Sequence, residues 1–113
     1  MRTRAFLNSE LLPGTLEMLI LKTLNRGPAH GYAIARHLER TSKEVLRIGE
    51  SSLYPALQRL LLNGFVRAEW GESELKRRVR IYRISPLGRK HLEQQAESFA
   101  RLIDAIALVM EES

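Results

Sequence analysis

The sequence contains no cysteine among its 113 residues. This absence excludes a disulfide, a zinc site built on thiolates and a cysteine nucleophile, and it fits a reducing cytoplasm, where we expect the protein. No apolar run approaches the roughly 18 residues of a membrane-spanning helix. Asn8, Ser9 and Glu10 interrupt the N-terminal stretch where a secretory signal would lie. We therefore expect a soluble protein.

Acidic residues are missing from one stretch, between Lys76 and Lys90, although the chain as a whole is not extreme in composition. The formal net charge is +5, and a large part of the excess falls in this stretch. Positive charge of this kind favours a polyanionic partner, although it does not define a fold. The length and the 44% hydrophobic content predict one folded core of modest size.

The clearest pattern is a run of leucines within residues 49–64, which predicts a short helix. Four leucines recur at positions i, i+4, i+7 and i+8 of this run, and they are Leu53, Leu57, Leu60 and Leu61. That spacing places them on one helix face, which the core must cover. Ser51 or Ser52 is expected to cap the first turn, and Gly64 is expected to end the helix in a left-handed conformation.

The opposite face of this helix carries small and hydrogen-bonding side chains, with no carboxylate between Ser51 and Gly64. A helix fits the major groove of DNA, where Gln can pair with adenine and Arg with guanine or a phosphate. We expect Gln58 and Arg59 to contact bases or phosphates. The other residues expected at the DNA are Ser51, Ser52, Tyr54 and Pro55. The alternative is an ordinary amphipathic helix whose polar face is solvated.

Two helices and a short strand are predicted before this helix. The first helix runs from about Thr15 to Asn25, and the second opens at His30. Residues 45–48 are β-branched at both ends, which is typical of a brief strand. Residues 1–12 carry apolar side chains at helical spacing and predict an arm or a short helix.

The hydrophobic period changes from 3.6 to 2 beyond Gly64, which predicts two strands. Residues 66–70 form the first strand, residues 71–74 a turn and residues 77–84 the second strand. Two strands with a basic tip are what a wing lying along a phosphate backbone needs. The expected contacts of this wing are Lys76, Arg77, Arg78 and Arg80. The alternative is a solvated hairpin whose charges deter strand aggregation.

Ser85 and Pro86 predict the start of a long last helix, because a capping hydroxyl is followed by proline at the first helical position. A helix from Leu87 to Met110 would span roughly 36 Å, longer than the short helices before it can cover. Its apolar residues repeat in steps of four and three as a heptad seam. The seam consists of Leu92, Ala96, Phe99, Ile103, Ile106 and Met110. We expect a second copy of the chain to pack on it, the alternative being a helix folded back on its own core.

An enzyme is the competing class, because the chain has three histidines, His30, His37 and His91. They fall in separate predicted elements, with no Glu or His at metal-ligand spacing and no nucleophile paired to any of them. We therefore expect no catalytic residue, no metal and no cofactor.

These elements are expected to build a mostly α-helical protein with a small β-wing, a winged helix-turn-helix. From Leu11 to about Leu92 the residues also resemble the PadR family of bacterial transcription regulators. The run Ser52-Leu53-Tyr54-Pro55-Ala56-Leu57 with Arg59-Leu60 after it is the specific part. The other matching stretches are residues 12–16, 30–34, 68–71, 77–78, 82–85 and Gly88.

The resemblance implies a homodimeric repressor on a roughly palindromic operator in double-stranded DNA. The helix from Ser51 would enter the major groove and the wing would contact the flanking backbone. Residues 1–85 would be the DNA-binding part and residues 86–113 the dimerisation helix. A basic DNA-binding or adaptor protein with little sequence preference is the alternative function.

The resemblance also suggests that a small aromatic effector binds the protein, since some members of the family respond to phenolic or drug-like compounds. Trp70, Phe99 and Ile103 would then line an apolar pocket between subunits. The alternative is a closed dimer core without a ligand.

Overall fold

The computed structural model describes residues 6–7 and 14–112 of the chain. The helices are α1 (Thr15–Leu24), α2 (Gly31–Thr41), α3 (Glu50–Leu62) and α4 (Pro86–Glu111). The strands are β1 (Phe6–Leu7), β2 (Ala29–His30), β3 (Leu46–Arg47), β4 (Val66–Glu72) and β5 (Arg78–Ile84). The predicted order of short helices, hairpin and long last helix is confirmed.

The core forms where α1, α2 and α3 meet beneath the β4–β5 hairpin. Its largest fully buried side chains are Ile20, Leu21, Leu24, Ile34, Leu53, Leu57 and Leu60. The predicted leucine stripe of α3 is therefore confirmed at three positions, whereas Leu61 is half-buried against the edge of the core. Ala56 is also fully buried, and its small side chain lets α3 lie close to its neighbours.

Each helix begins at a defined N-cap residue, and the predicted N-cap of α3 is wrong. Gly14 and Gly49 hold the N-cap positions of α1 and α3, and neither helix has a side-chain cap. Ser51 and Ser52 therefore do not cap α3, because the extended backbone of Gly49 starts the helix earlier and leaves both serines inside the first turn. Gly64 has a φ of +74° and follows the end of α3, as predicted.

The first strand of the hairpin runs to Glu72, so Gly71 and Glu72 lie in the strand rather than in the predicted turn, and the second strand begins at Arg78 rather than at Arg77. A third strand lies beside the hairpin. β4 and β5 pair antiparallel from Val66 opposite Ile84 to Glu72 opposite Arg78. β2 pairs antiparallel with the other edge of β5, so the sheet order is β2-β5-β4. β2 was not predicted, since two residues are too few to show an alternation.

The predicted strand at residues 45–48 is confirmed as β3, which pairs in parallel with β1. Phe6 and Leu7 are therefore extended rather than helical. The rest of the predicted arm, residues 1–5 and 8–12, lies outside the residues that the structure describes.

A buried joint fixes the start of α4 to the turn after α3. The Ser85 hydroxyl donates a hydrogen bond to the Gly64 carbonyl (2.6 Å) and accepts one from the Gly88 N–H (3.0 Å). The Ser85 N–H donates to the Phe65 carbonyl (3.0 Å). A Cβ at Gly88 would lie 2.0 Å from that same carbonyl oxygen, so only glycine allows this approach. One turn later, Leu92 joins the core.

The distal part of α4 extends beyond the core. Residues 101–112 are all exposed, and the molecule is 55 Å long. A packed chain of this length has a radius of gyration of about 13 Å. The observed value is 15.3 Å, as expected for a helix that projects beyond the core. Among the residues described, no helix combines the length and the hydropathy that crossing a membrane requires.

Candidate nucleic-acid interface

One face of α3 is exposed while its other face is held by the core. This arrangement presents polar side chains on a helix that is backed by fully buried leucines. Helix and core together make a firm support for contacts that depend on geometry. The exposed members of the predicted set are Ser51, Tyr54, Pro55, Gln58 and Arg59, whereas Ser52 is half-buried.

Tyr54 lies between the core and the solvent, with 45% of its surface exposed. Its ring packs against the backbone at Gly31, the first residue of α2. A Cβ at Gly31 would lie 2.9 Å from the Tyr54 hydroxyl oxygen, so the close approach depends on glycine. The Nδ1 atom of His30 caps α2 by accepting the N–H of Ala33 (3.3 Å). The Tyr54 ring thus lies against the capped start of α2.

Arg59 forms an ion pair that the sequence analysis missed. Its Nε lies 2.6 Å from Oε1 of Glu17, which is on α1. The sequence from Ser51 to Gly64 holds no carboxylate that could pair with Arg59, because the partner lies 42 residues earlier in the chain. The pair is partly exposed and contributes little to stability. Arg59 keeps further N–H donors for another partner, since a guanidinium has five.

The wing carries its basic residues at the tip, as predicted. The turn is closed by the Ser73 N–H, which donates to the Arg77 carbonyl (2.9 Å), and by Lys76, whose φ is +59°. Lys76, Arg77, Arg78 and Arg80 are all exposed. Arg78 and Arg80 share a sheet face with Tyr82 and Ile84, which are buried at the base of the hairpin.

A groove of about 770 Å³ separates the wing from α3 and the start of α2. It brings together several residues predicted separately, namely Tyr54, Gln58, Arg77, Arg78 and Arg80. Tyr32 also lines the groove and is 68% exposed, yet it was not among the predicted site residues. Tyr32 could have been included from the sequence, because it directly follows His30 and Gly31 at the predicted start of α2. Ser51, Ser52, Pro55, Arg59 and Lys76 are not among the residues that line the groove.

Arginines and aromatic rings alternate along the wing side of this groove. The Arg78 guanidinium carbon lies 4.3 Å from the centre of the Trp70 ring. The Arg80 guanidinium carbon lies 5.9 Å from the Trp70 ring and 5.9 Å from the Tyr82 ring. Burial raises the pKa of the Tyr82 phenol, and the positive charge of Arg80 opposes that rise.

The predicted seam on α4 divides into a proximal and a distal part. Leu92 lies in the core of the same chain and Phe99 is half-buried, so neither is fully available to a second copy. Ala96 is exposed, as are Ile103 (47%), Ile106 (44%) and Met110 (76%). The large apolar side chains of the seam are thus exposed only beyond Phe99. The exposed apolar surface also includes Leu102, Leu108 and Val109.

The proposed aromatic-effector pocket is not assembled within one chain. Trp70 lines the groove beside α3, whereas Phe99 lines a cavity of about 150 Å³ that also contacts Thr15 and Met18 of α1. Ile103 is in neither set of lining residues. A pocket that combines these three side chains stays a prediction about an assembly of two chains.

The three histidines occupy unrelated positions. His30 caps α2, His91 stacks on Phe65 with ring centres 4.0 Å apart, and His37 lies next to Arg26. Burial, and secondarily the charge of Arg26, lower the pKa of His37. Within the described residues, no group of three or more His, Asp or Glu side chains is arranged to hold a metal ion.

Comparison with known proteins gives consistent matches. The model of the family described as "Transcriptional regulator PadR-like family" matches residues 20–94. An uncharacterised 37.1 kDa protein in a transposon of Streptomyces fradiae is 44% identical over 86 residues. That match covers 76% of this chain but only 23% of the relative, so the chain spans about a quarter of that protein's length.

Solved structures show the same fold. A transcriptional regulator from Clostridium thermocellum superposes with a TM-score of 0.76 at 32% identity, covering 83% of this chain and 88% of that one. A PadR family transcriptional regulator from Eggerthella lenta superposes with a TM-score of 0.75 at 31% identity, covering 88% and 85% of the two chains.

Proposed function

Because the chain belongs to the PadR-like family of transcriptional regulators, we propose that it binds double-stranded DNA as a homodimer and represses transcription from a roughly palindromic operator. The observation that carries the proposal is the groove between α3 and the wing, where the exposed face of α3 and a row of arginines meet. DNA offers a groove for the helix and phosphates for the arginines.

In this proposal α3 lies in the major groove and supplies the sequence preference. Gln58 is exposed near the middle of the helix, and its amide can donate to and accept from one adenine edge at the same time. Arg59 is tied to Glu17 through Nε, so it is better suited to a backbone contact beside the bases. Ser51, Ser52, Tyr54 and Pro55 lie toward the start of α3, where short side chains and a hydroxyl suit contacts with the backbone.

The wing supplies affinity that does not depend on sequence. Three arginines line the groove, with one carboxylate, that of Glu74, among the lining residues. Contacts between such arginines and phosphates release counterions and therefore weaken as salt is added. Lys76 at the turn would add one further contact of this kind.

The distal part of α4 provides the second half of the proposed dimer. Residues 86–113 form the dimerisation helix and residues 1–85 the DNA-binding part, although Leu92 shows that the first turns of α4 pack with the earlier residues. Two copies joined through this helix would present two α3 helices to the DNA. Half-sites about one helical turn apart, roughly 34–36 Å, would match such a pair.

Repression is the outcome we propose, since a dimer that occupies operator DNA excludes other proteins from it. Action on DNA would place the protein in the cytoplasm. The proposal assigns no cofactor, and the aromatic effector stays a prediction.

The experiment is selection of bound fragments from a random duplex pool with the purified chain. The proposal predicts enrichment of two inverted half-sites about one helical turn apart. Recovery of unenriched DNA would favour a basic protein without sequence preference, and recovery of a single half-site would contradict the dimer. Repeating the selection at higher salt separates sequence-dependent binding from general attraction to phosphates.

A further inference from the structure

We propose that Trp70 is a positioning residue of the wing: its indole holds the guanidinium groups of Arg78 and Arg80 over the groove, with their N–H donors free to meet DNA phosphates. This inference rests on the proposed function, because it explains how the wing contacts are prepared. It assigns to an exposed tryptophan a role that the packing of the core does not require.

The strand register places the three side chains on one face of the hairpin. Trp70 lies directly opposite Arg80, and Arg78 is its diagonal neighbour two residues along β5. Directly opposed and diagonal neighbours on one face of an antiparallel pair are close enough for an aromatic ring and a long side chain to touch. The distances of 4.3 Å to Arg78 and 5.9 Å to Arg80 agree with this geometry.

The exposure of Trp70 separates this role from ordinary packing. The residue is 60% exposed and lies outside the hydrophobic core, whereas Tyr82 on the same face is 5% exposed and belongs to it. A large aromatic ring left in solvent loses part of the benefit of burial. Its ring face is occupied instead by a cation, and a guanidinium stacked on a ring retains N–H donors along its edge.

On the opposite face of the same hairpin, an arginine pairs with a carboxylate. There Arg83 has Glu69 as its diagonal neighbour, and the two form an ion pair with Nη2 3.1 Å from Oε1. Arg78 also has a neighbouring carboxylate, that of Glu72, which lies directly across from it. Within the described part of the chain, however, no ion pair joins these two side chains. Stacking on Trp70 thus keeps Arg78 available, whereas Arg83 is already partly neutralised.

The test compares Trp70→Leu with Trp70→Phe, because leucine keeps apolar volume without a ring face and phenylalanine keeps a ring face. The probe is a duplex of mixed sequence, since wing contacts do not depend on sequence. We expect Trp70→Leu to weaken binding about two- to fivefold, the range for an exposed cation–π contact, and Trp70→Phe to restore most of the loss. Arg78→Ala should then cost less in the Trp70→Leu background than in the original chain.

A second readout uses the free protein, in which Trp70 is the only tryptophan. We expect Arg78→Ala to increase quenching of its fluorescence by acrylamide, a neutral quencher, because the guanidinium no longer covers one ring face. Arg83→Ala, on the opposite face, is the matched control and should leave the quenching unchanged. This measurement requires neither DNA nor a folded Trp70→Leu variant.

The two proposals fail in different ways. Failure of the original chain to bind any duplex would reject the proposed function. Binding that is equal for Trp70→Leu and the original chain, while Arg78→Ala weakens it, would reject the positioning role alone. Acrylamide quenching that is the same with and without Arg78 would also reject it.

Discussion

The exposed faces of α3 and of the distal part of α4 are opposite in character, although both belong to helices of one small chain. α3 exposes polar and charged side chains over a row of fully buried leucines. Beyond Phe99, α4 exposes Ile103, Ile106 and Met110, with no part of the described chain covering them. The first face suits a charged, hydrated partner and the second an apolar one. The difference indicates two partners, and we propose DNA for the first and a second copy of the chain for the second.

The largest effect is expected from charging the apolar face. Ile103→Asp with Ile106→Asp would place two carboxylates in the proposed dimer seam, so we expect a monomer in sedimentation. DNA affinity should fall by about 100-fold or more, because two linked binding modules gain roughly 10²–10⁴ in avidity.

The matched control for this pair is Arg101→Asp, which changes the net charge by the same amount on the opposite side of α4. Its side chain is 67% exposed, and its ion pair with Glu97 and its hydrogen bond to Ser98 both lie within α4. We expect the control to remain a dimer. Dimers of equal strength in both variants would show that the seam is not the dimer interface.

The next largest effect is expected at the joint that fixes the start of α4 to the turn after α3. Gly88→Ala would force a Cβ against the Phe65 carbonyl, and we expect it to lower the free energy of unfolding by about 1–3 kcal/mol. Gly27→Ala is the control, because its Cβ would meet nothing within 4 Å. Urea unfolding midpoints measure both, and a Gly88→Ala midpoint as high as that of the control would show that α4 is not fixed at this joint.

On the charged side, Arg78→Ala should weaken binding to all duplexes by a similar factor. The slope of log affinity against log salt should fall by about one, as expected for the loss of one phosphate contact. Arg83→Ala removes the same charge from the other face of the hairpin, where Glu69 already pairs with it. We expect the control to change the slope less. Binding titrations at several salt concentrations would contradict the orientation of the wing if the two variants behaved alike.

The smallest effect concerns His37, which lines neither the groove nor the seam. Its pKa in the folded chain lies below the value of 6.5 expected when unfolded, because burial and Arg26 disfavour the charged form. The unfolded state therefore binds more protons between the two values, and stability falls as the pH drops through about 6.5. His37→Gln should show a smaller loss of thermal stability between about pH 8 and about pH 5. An unchanged loss would show that other groups cause the pH dependence.

Features that repeat along several turns were predictable from the sequence. The leucine stripe of α3 and the start of α4 at Ser85 follow from spacing and capping rules. The structure confirms the start of α4, and it confirms the stripe at all of its positions except Leu61. The hairpin was also predictable, because its alternation extends over several residues of each strand.

Features that depend on distant residues could not be predicted in the same way. The Glu17–Arg59 pair joins residues 42 positions apart. The contact of Tyr54 with Gly31 and the parallel pairing of β1 with β3 likewise need the folded chain. The sequence also placed Leu92 in the seam by its spacing, whereas the short distance from the joint brings it into the core.

We propose that α3 reads the base sequence while the wing contacts the phosphate backbone. The most direct measurement is the affinity of Gln58→Ala for a selected duplex and for a scrambled one at two salt concentrations. We predict that the preference for the selected duplex falls about tenfold, within the range for one lost base contact, with little change on the scrambled duplex or in salt dependence. An equal loss on both duplexes, with a reduced salt slope like that of Arg78→Ala, would contradict the claim.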